Sequence, residues 1–237
     1  MRQKEGTHWS AVEWFPSARR TFYDDQKAKL PFEKAAWENG PIANYLARCN
    51  LKGSYIEFGV FWGRSFFKNI EKLNQILKGK FVAVDSFRGL GTVTELESFY
   101  TGGDFRTGAY ACSLKNFVNL AKYLNVPMER METVVADLEK FEESQEKLEA
   151  VLQGHKVSFC HIDVDTFNPT YNALKIVCPF LEQGAILRFD DWRLSRCDPN
   201  EGEFGGAKKW LKENTNILLE PLCQDGWQDQ SFICQAQ

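Results

Sequence analysis

From Gly53 onward, short apolar runs alternate with amphipathic stretches of helical spacing. Runs at 54–58, 81–84, 133–136, 157–162 and 185–189 predict five buried strands. Between and after them, apolar positions three and four apart predict helices at 64–77, about 112–124, about 138–152, about 170–181 and 207–213. Gly79 stops the first of these helices, and Gly184 precedes the fifth strand. Two further runs, 217–222 and 231–234, are joined by a short segment containing Asp225-Gly226, the signature of an antiparallel hairpin. Strand–helix units closed by a hairpin predict an α/β fold. The expected architecture is a Rossmann-like, doubly wound, seven-stranded, mostly parallel sheet with a C-terminal antiparallel hairpin.

The flanks are less regular. Residues 31–50 show helical spacing at Phe32, Ala36, Ile42, Tyr45, Leu46 and Cys49, with a break at Gly40-Pro41. Residues 1–30 mix charges with Trp9, Trp14, Phe15, Phe22 and Tyr23. They read as an arm that packs on the main domain or on a second copy in a homodimer, or as a flap over the site. The expected organisation is an N-terminal arm, 1–30, and a single domain, 31–237. A Gly- and Thr-rich stretch at 89–108 is the longest loop, and long loops of this kind are often lids.

Composition narrows the function classes. The chain of 237 residues is 43% hydrophobic and 26% charged, which is ordinary for a globular domain. A net charge of −3 offers no electrostatic basis for binding nucleic acid or a membrane surface. No apolar run approaches the length of a membrane span, and the N-terminus lacks the apolar core of a signal peptide, so a cytoplasmic location is expected. The seven cysteines are scattered, with no Cys-x-x-Cys pair, which suits reduced core residues rather than a disulfide framework or a zinc site.

The chemistry gathers at the strand ends. In Tyr55-Ile-Glu-Phe-Gly-Val-Phe-Trp-Gly-Arg-Ser65, a strand breaks into a turn with Gly59 and Gly63, and a helix begins near Arg64. Glycines there let backbone approach a ligand, and helix-opening N–H groups favour an anionic group. Such a motif also occurs as plain turn glycines between core elements. Each parallel strand is predicted to end in an acid: Glu57, Asp85, Asp137, Asp163 with Asp165, and Asp190 with Asp191. One such acid is ordinarily a turn former or helix cap. Five ends on one rim call for a ligand or cation to offset their repulsion. Glu57, Asp85 and Asp137 suit a nucleoside, with Asp85 accepting from ribose hydroxyls and Asp137 from the amino group of a base. Asp163, Asp165, Asp190 and Asp191 offer hard oxygen donors suited to Mg²⁺, Ca²⁺ or Mn²⁺. Asp163 and Asp165 share strand parity with each other and with His161, which reads as a core or supporting residue.

Glu-Phe-Gly-Val-Phe-Trp-Gly-Arg-Ser, Val-Asp-Ser-Phe-Arg-Gly-Leu, His-Ile-Asp-Val-Asp-Thr-Phe-Asn-Pro-Thr and Phe-Asp-Asp-Trp together resemble the macrocin O-methyltransferase (TylF-like) family over roughly residues 38–215. That resemblance implies a class I, S-adenosylmethionine-dependent and metal-dependent O-methyltransferase acting on hydroxyls of small molecules, often antibiotic sugars. It implies that Glu57, Gly59, Gly63 and Ser65 hold the methionine end of the cofactor. Asp85 and Ser86 would hold the ribose, and Asp137 the adenine side. It also implies Asp163, Asp190 and Asp191 as ligands of Mg²⁺ or another hard divalent cation, and Asp165 as the general base. The chain departs from the family pattern at Ala136, where Gly is common, and at Phe167 and Trp192, which are often Tyr. Arg188 stands where an apolar residue is usual before the acidic pair. These departures bear on the acceptor pocket more than on the cofactor side. Two other classes share the fold: a nicotinamide-dependent oxidoreductase, which would want tighter glycine spacing, and a non-catalytic nucleoside-cofactor-binding protein, which would not need the second acid group.

Overall fold

The computed structural model describes residues 40–236. The arm expected at 1–30, and the part of the next helix containing Phe32 and Ala36, lie outside the described residues. The elements, in chain order, are α1 (Gly40–Arg48), β1 (Ser54–Phe58), α2 (Arg64–Leu73), β2 (Phe81–Asp85), α3 (Glu95–Tyr100), α4 (Leu114–Tyr123), β3 (Met131–Val135), α5 (Phe141–Leu152), β4 (Val157–Ile162), α6 (Phe167–Val177), β5 (Leu181–Phe189), α7 (Gly202–Glu213), β6 (Ile217–Cys223) and β7 (Gln230–Ala236). The strands form one sheet in the order β3-β2-β1-β4-β5-β7-β6. β1 to β5 run parallel, and β7 lies antiparallel to both β5 and β6. Strand order reverses between β1 and β4, which is where open sheets of this class leave a crevice beyond the strand ends.

Alternation along the strands builds a core on each face. Tyr55, Phe81 and Phe159 point to one side and pack against Ile42, Leu46, Phe66, Ile70 and Phe117 of α1, α2 and α4. Ile56, Phe58, Val84, Cys160 and Leu187 point to the other and pack against Leu148, Leu174, Val177 and Trp210 of α5, α6 and α7. Tyr55 is stacked on Phe159, with ring centroids 4.9 Å apart. No helix among the described residues is long and apolar enough to cross a membrane.

Several boundaries differ from the sequence reading for identifiable reasons. The break at Gly40-Pro41 coincides with the start of α1, where Pro41 sits in the opening turn and its missing N–H costs nothing. The stretch at 89–108 is not all loop: α3 forms inside it, closed by a capping box between Thr94 and Glu97. α7 starts at Gly202 rather than 207. Gly205 and Gly206 weaken its propensity, yet they bring it close to α6, since a Cβ on Gly206 would lie 2.6 Å from the Phe167 carbonyl oxygen. β5 begins at Leu181, and a register shift against β4 between Val157 and Phe159 absorbs the irregular stretch around Gly184.

Candidate active site

Beyond the carboxyl ends of the parallel strands lies a cavity of about 760 Å³. Gly59, Asp85, Ser86 and Asp137 line one part of it, and Asp163, Asp165, Asp190 and Asp191 another. The sheet topology thus brings eight of the eleven sequence-derived site residues to one space. Glu57, Gly63 and Ser65 do not line it and instead support the turn behind it.

Gly59 leaves β1 with φ +80°, and its α-carbon presses on the backbone of Asp163 at the end of β4. A Cβ there would stand 2.8 Å from the Asp163 carbonyl carbon and closer still to its oxygen. The glycine is therefore demanded by contact between two strand ends as well as by φ. Gly63, at φ +78°, packs under the Phe67 and Phe117 rings. Glu57 is fully buried inside β1 rather than standing on the rim. Its carboxylate accepts from Tyr55 Oη and from Ser65 Oγ (2.6 Å), and His161 Nδ1 lies 3.3 Å away. Asp85 accepts three backbone N–H bonds: from Val60 (2.8 Å) and Phe61 (3.1 Å) on one oxygen, and from Phe87 (2.6 Å) on the other. Phe61 and Phe87 both have left-handed backbones, so Asp85 braces two strained turns at the cavity wall. Burial pushes its carboxyl up from the usual range, against the pull of those N–H groups. Asp137 lies two residues past β3 and accepts from the Glu139 N–H (3.1 Å), a turn-forming bond that coexists with its place on the cavity wall.

The acidic half is more crowded than the sequence implied. β4 ends at Ile162, so Asp163 and Asp165 lie beyond it, and the expected strand parity does not extend to them. Asp165 has φ +65°, a left-handed conformation unusual outside glycine. Burial and the neighbouring carboxylates push Asp163 and Asp165 well above the usual carboxylate range. Asp191 is pushed up to about 6, chiefly by burial. Asp190 goes the other way. Burial would raise it, but facing His161 and Arg188 hold it below its ordinary value.

A hard cation would suit this donor set chemically, since surplus buried carboxylates need positive charge. Among the described residues, no three His, Cys, Asp or Glu side chains are arranged to hold a metal ion. Asp190 turns toward His161 Nε2 (3.5 Å) and Arg188 Nη2 (3.8 Å), and Asp191 accepts from Gln228 Nε2 (2.9 Å).

Under the cavity runs a row of charge that sequence reading missed as a unit. The register pairs Glu57 with His161 and His161 with Arg188, so the three side chains lie side by side across β1, β4 and β5. All three are buried. Burial opposes a charge on His161, but the carboxylates of Asp190 and Glu57 outweigh it and hold its pKa at about 10. Arg188, out of place as an apolar core residue, pairs with Asp225 and lies 3.3 Å from Asp229. The two cations lie between acids on either side, as a buried row of this kind requires.

Two supporting acids were also missed. Glu203, fully buried at the start of α7, accepts from the N–H groups of Asp191 (2.8 Å) and Val164 (3.2 Å) and so fixes the backbone of both acidic turns. Its signal was an acid on the same helical face as Gly206, Ala207 and Trp210, all of them buried. Glu97 of α3 accepts from Phe167 N (2.9 Å) and Gly202 N (3.2 Å) at the openings of α6 and α7. Its signal was the Thr94-x-x-Glu97 capping box.

No protein-family model matches the chain, and no curated protein matches it significantly in sequence. Solved structures do match. CalS11, a calicheamicin methyltransferase also described as a TDP-rhamnose 3'-O-methyltransferase, is 16% identical, with a TM-score of 0.63 over 92% of this chain and 93% of its own. The O-methyltransferase NovP is 14% identical, with a TM-score of 0.63 over 85% of this chain and 79% of its own. TomG from Streptomyces achromogenes, an O-methyltransferase of tomaymycin synthesis solved with S-adenosylmethionine, is 14% identical, with a TM-score of 0.53 over 84% of this chain and 79% of its own. At these identities the likeness is one of fold. The sheet and its C-terminal hairpin have the class I methyltransferase fold.

Proposed function

We propose that this chain is an S-adenosylmethionine-dependent O-methyltransferase that methylates a hydroxyl of a small molecule, a sugar or another vicinal diol. The observation that carries the reading is the division of one cavity into two chemical halves. Gly59, Asp85, Ser86 and Asp137 line it beyond β1, β2 and β3, and Asp163, Asp165, Asp190 and Asp191 beyond β4 and β5. A nucleoside-binding protein without catalysis needs only the first half. A hydride-transfer enzyme gives the Asp190–Asp191 pair no task. That CalS11, NovP and TomG are methyltransferases of the same fold supports the same reading.

In this account the Gly59 turn lets the methionine portion of the cofactor lie against backbone. Asp85 accepts from ribose hydroxyls, with Ser86 beside it, and Asp137 meets the adenine. Glu57, Gly63 and Ser65 act from behind, holding the turn through the Ser65–Glu57 bond. The sulfonium carbon is already activated, so the protein's main task is to align the acceptor oxygen in line with the methyl–sulfur bond. As the new O–C bond forms, the C–S bond breaks and its electron pair stays on sulfur. The hydroxyl proton passes to Asp165, giving a methyl ether and S-adenosylhomocysteine. Asp163, Asp190 and Asp191 are the proposed holders of Mg²⁺ or another hard divalent cation, which when bound would orient the acceptor and acidify its hydroxyl.

Calorimetry with S-adenosylhomocysteine and with NAD(H), each with and without Mg²⁺, tests the reading. Binding of S-adenosylhomocysteine and not NAD(H) is expected; the reverse would overturn it. Asp190→Ala is expected to keep cofactor binding while abolishing turnover on a diol acceptor.

A further inference from the structure

The loop joining β6 to β7 has no task in the scheme above, yet it is tied to the acidic half of the cavity from both sides. Phe189 pairs with Gln230, so β7 enters the sheet at the rim where β5 delivers Asp190 and Asp191. Gln228 of the loop donates to the Asp191 carboxylate (2.9 Å). Arg188 reaches from β5 to Asp225, Asp229 and Asp190. Within the loop, the buried Asp229 carboxylate accepts from the N–H groups of Asp225 (2.9 Å) and Gly226 (2.5 Å). Arg193 clamps the outer side, donating to the Asp229 carbonyl (2.6 Å) and to Gln230 Oε1 (2.6 Å).

A loop held this firmly presents one large side chain to solvent. Trp227 is 68% exposed, an unusual state for an indole on a braced turn. It lines a second cavity of about 210 Å³ that shares Asp190 and Gln228 with the main one. Asp190, one of the acids at the end of β5, is thus common to the lining of both spaces. The fixed cations of this corner, Arg188 and Arg193, are already bonded to the loop. Asp190, Asp191, Asp225 and Asp229 still outnumber Arg188, Arg193 and His161, and this surplus of carboxylate disfavours an anionic substituent here.

We propose that Trp227 is the recognition platform for the acceptor: a hydroxylated ring without an anionic group stacks its C–H face on the indole while its vicinal hydroxyls reach toward Asp190 and Asp191. This rests on the O-methyltransferase reading and names the class of substrate that reading leaves open. An indole offers a large, rigid surface for such a ring at small entropic cost.

The test uses the full chain labelled with 5-fluorotryptophan, whose seven ¹⁹F signals include one removed by Trp227→Phe. With S-adenosylhomocysteine present, methyl glucoside is titrated as the uncharged probe and glucose 1-phosphate as the anionic one. The Trp227 signal is expected to move progressively with methyl glucoside and to stay still with glucose 1-phosphate. Trp227→Ala is expected to weaken glucoside binding by about two- to tenfold, and Trp227→Tyr to restore most of it. A Trp227 signal unmoved by methyl glucoside, while S-adenosylhomocysteine shifts other tryptophans, overturns the platform and leaves the cofactor reading standing. Equal movement with glucose 1-phosphate overturns the charge selectivity. If S-adenosylhomocysteine shifts nothing and calorimetry sees no binding, the methyltransferase reading fails instead.

Discussion

Replacing Glu97 with Gln should loosen the wall of the cavity without unfolding the sheet. Glu97 is 1% exposed and accepts three backbone bonds: from Phe167 and Gly202 on one oxygen (2.9 and 3.2 Å) and from Thr94 on the other (3.0 Å). Two of those donors open helices, where a negative charge is favoured. A Gln in the same place keeps one acceptor and turns its amide toward the remaining N–H. Bonds to a charged acceptor contribute about 1 kcal/mol more than neutral ones, and the lost bond costs about 1 kcal/mol, so the substitution should cost roughly 3 kcal/mol. The cost falls locally. Besides Glu97, α3 is held by Thr94 Oγ1 to Glu201 (2.8 Å), by Tyr100 Oη to Asp198 (3.0 Å) and by Arg196 over the Phe99 and Tyr100 rings. At about tenfold per 1.4 kcal/mol, amides of α3 should exchange with solvent about a hundredfold faster in Glu97→Gln. Those of β1 and β4 should keep their wild-type protection. Hydrogen exchange resolved by peptide measures both. Unchanged exchange in α3, or an equal rise throughout β1 and β4, would refute the claim that this carboxylate is a local latch.

Three further outcomes follow from the same packing. Gly59→Ala places a Cβ against the Asp163 backbone at φ +80°; the conformation alone costs roughly 1–2 kcal/mol. With the clash added, urea unfolding should show a loss of several kcal/mol, and calorimetry should show no binding of S-adenosylhomocysteine. His161→Phe keeps a ring beside Phe159 but leaves Glu57 and Asp190 without the cation between them, which should cost about 3–5 kcal/mol in urea unfolding. Arg188→Met removes the positive charge facing Asp190, Asp225 and Asp229, and should unpin the β6–β7 loop, read as faster exchange at 224–229.

The parallel strands were readable because each is an apolar run closed by an acid, and β1 and β4 match their expected bounds. What the sequence hid is direction. Glu57 and Asp85 both end apolar runs, yet Glu57 turns inward to Tyr55, Ser65 and His161, while Asp85 stands at the wall. Only the register across β1 and β4 separates those fates, because His161 comes from a distant strand. α7 was read short because glycine weakens helical propensity, although at Gly205 and Gly206 it allows close approach to α6. Glu97 and Glu203 had local signals, a capping box and an acid on a buried face. Their partners are backbone N–H groups far along the chain, and no spacing rule foretells those.

The most direct test is a crystal structure of the chain with S-adenosylhomocysteine. The account predicts the ligand across the Gly59 turn, its ribose hydroxyls within hydrogen-bonding reach of Asp85, and its sulfur turned toward Asp163, Asp190 and Asp191. Ligand density elsewhere on the molecule, or the reverse orientation with the adenine against the aspartate cluster, would contradict it.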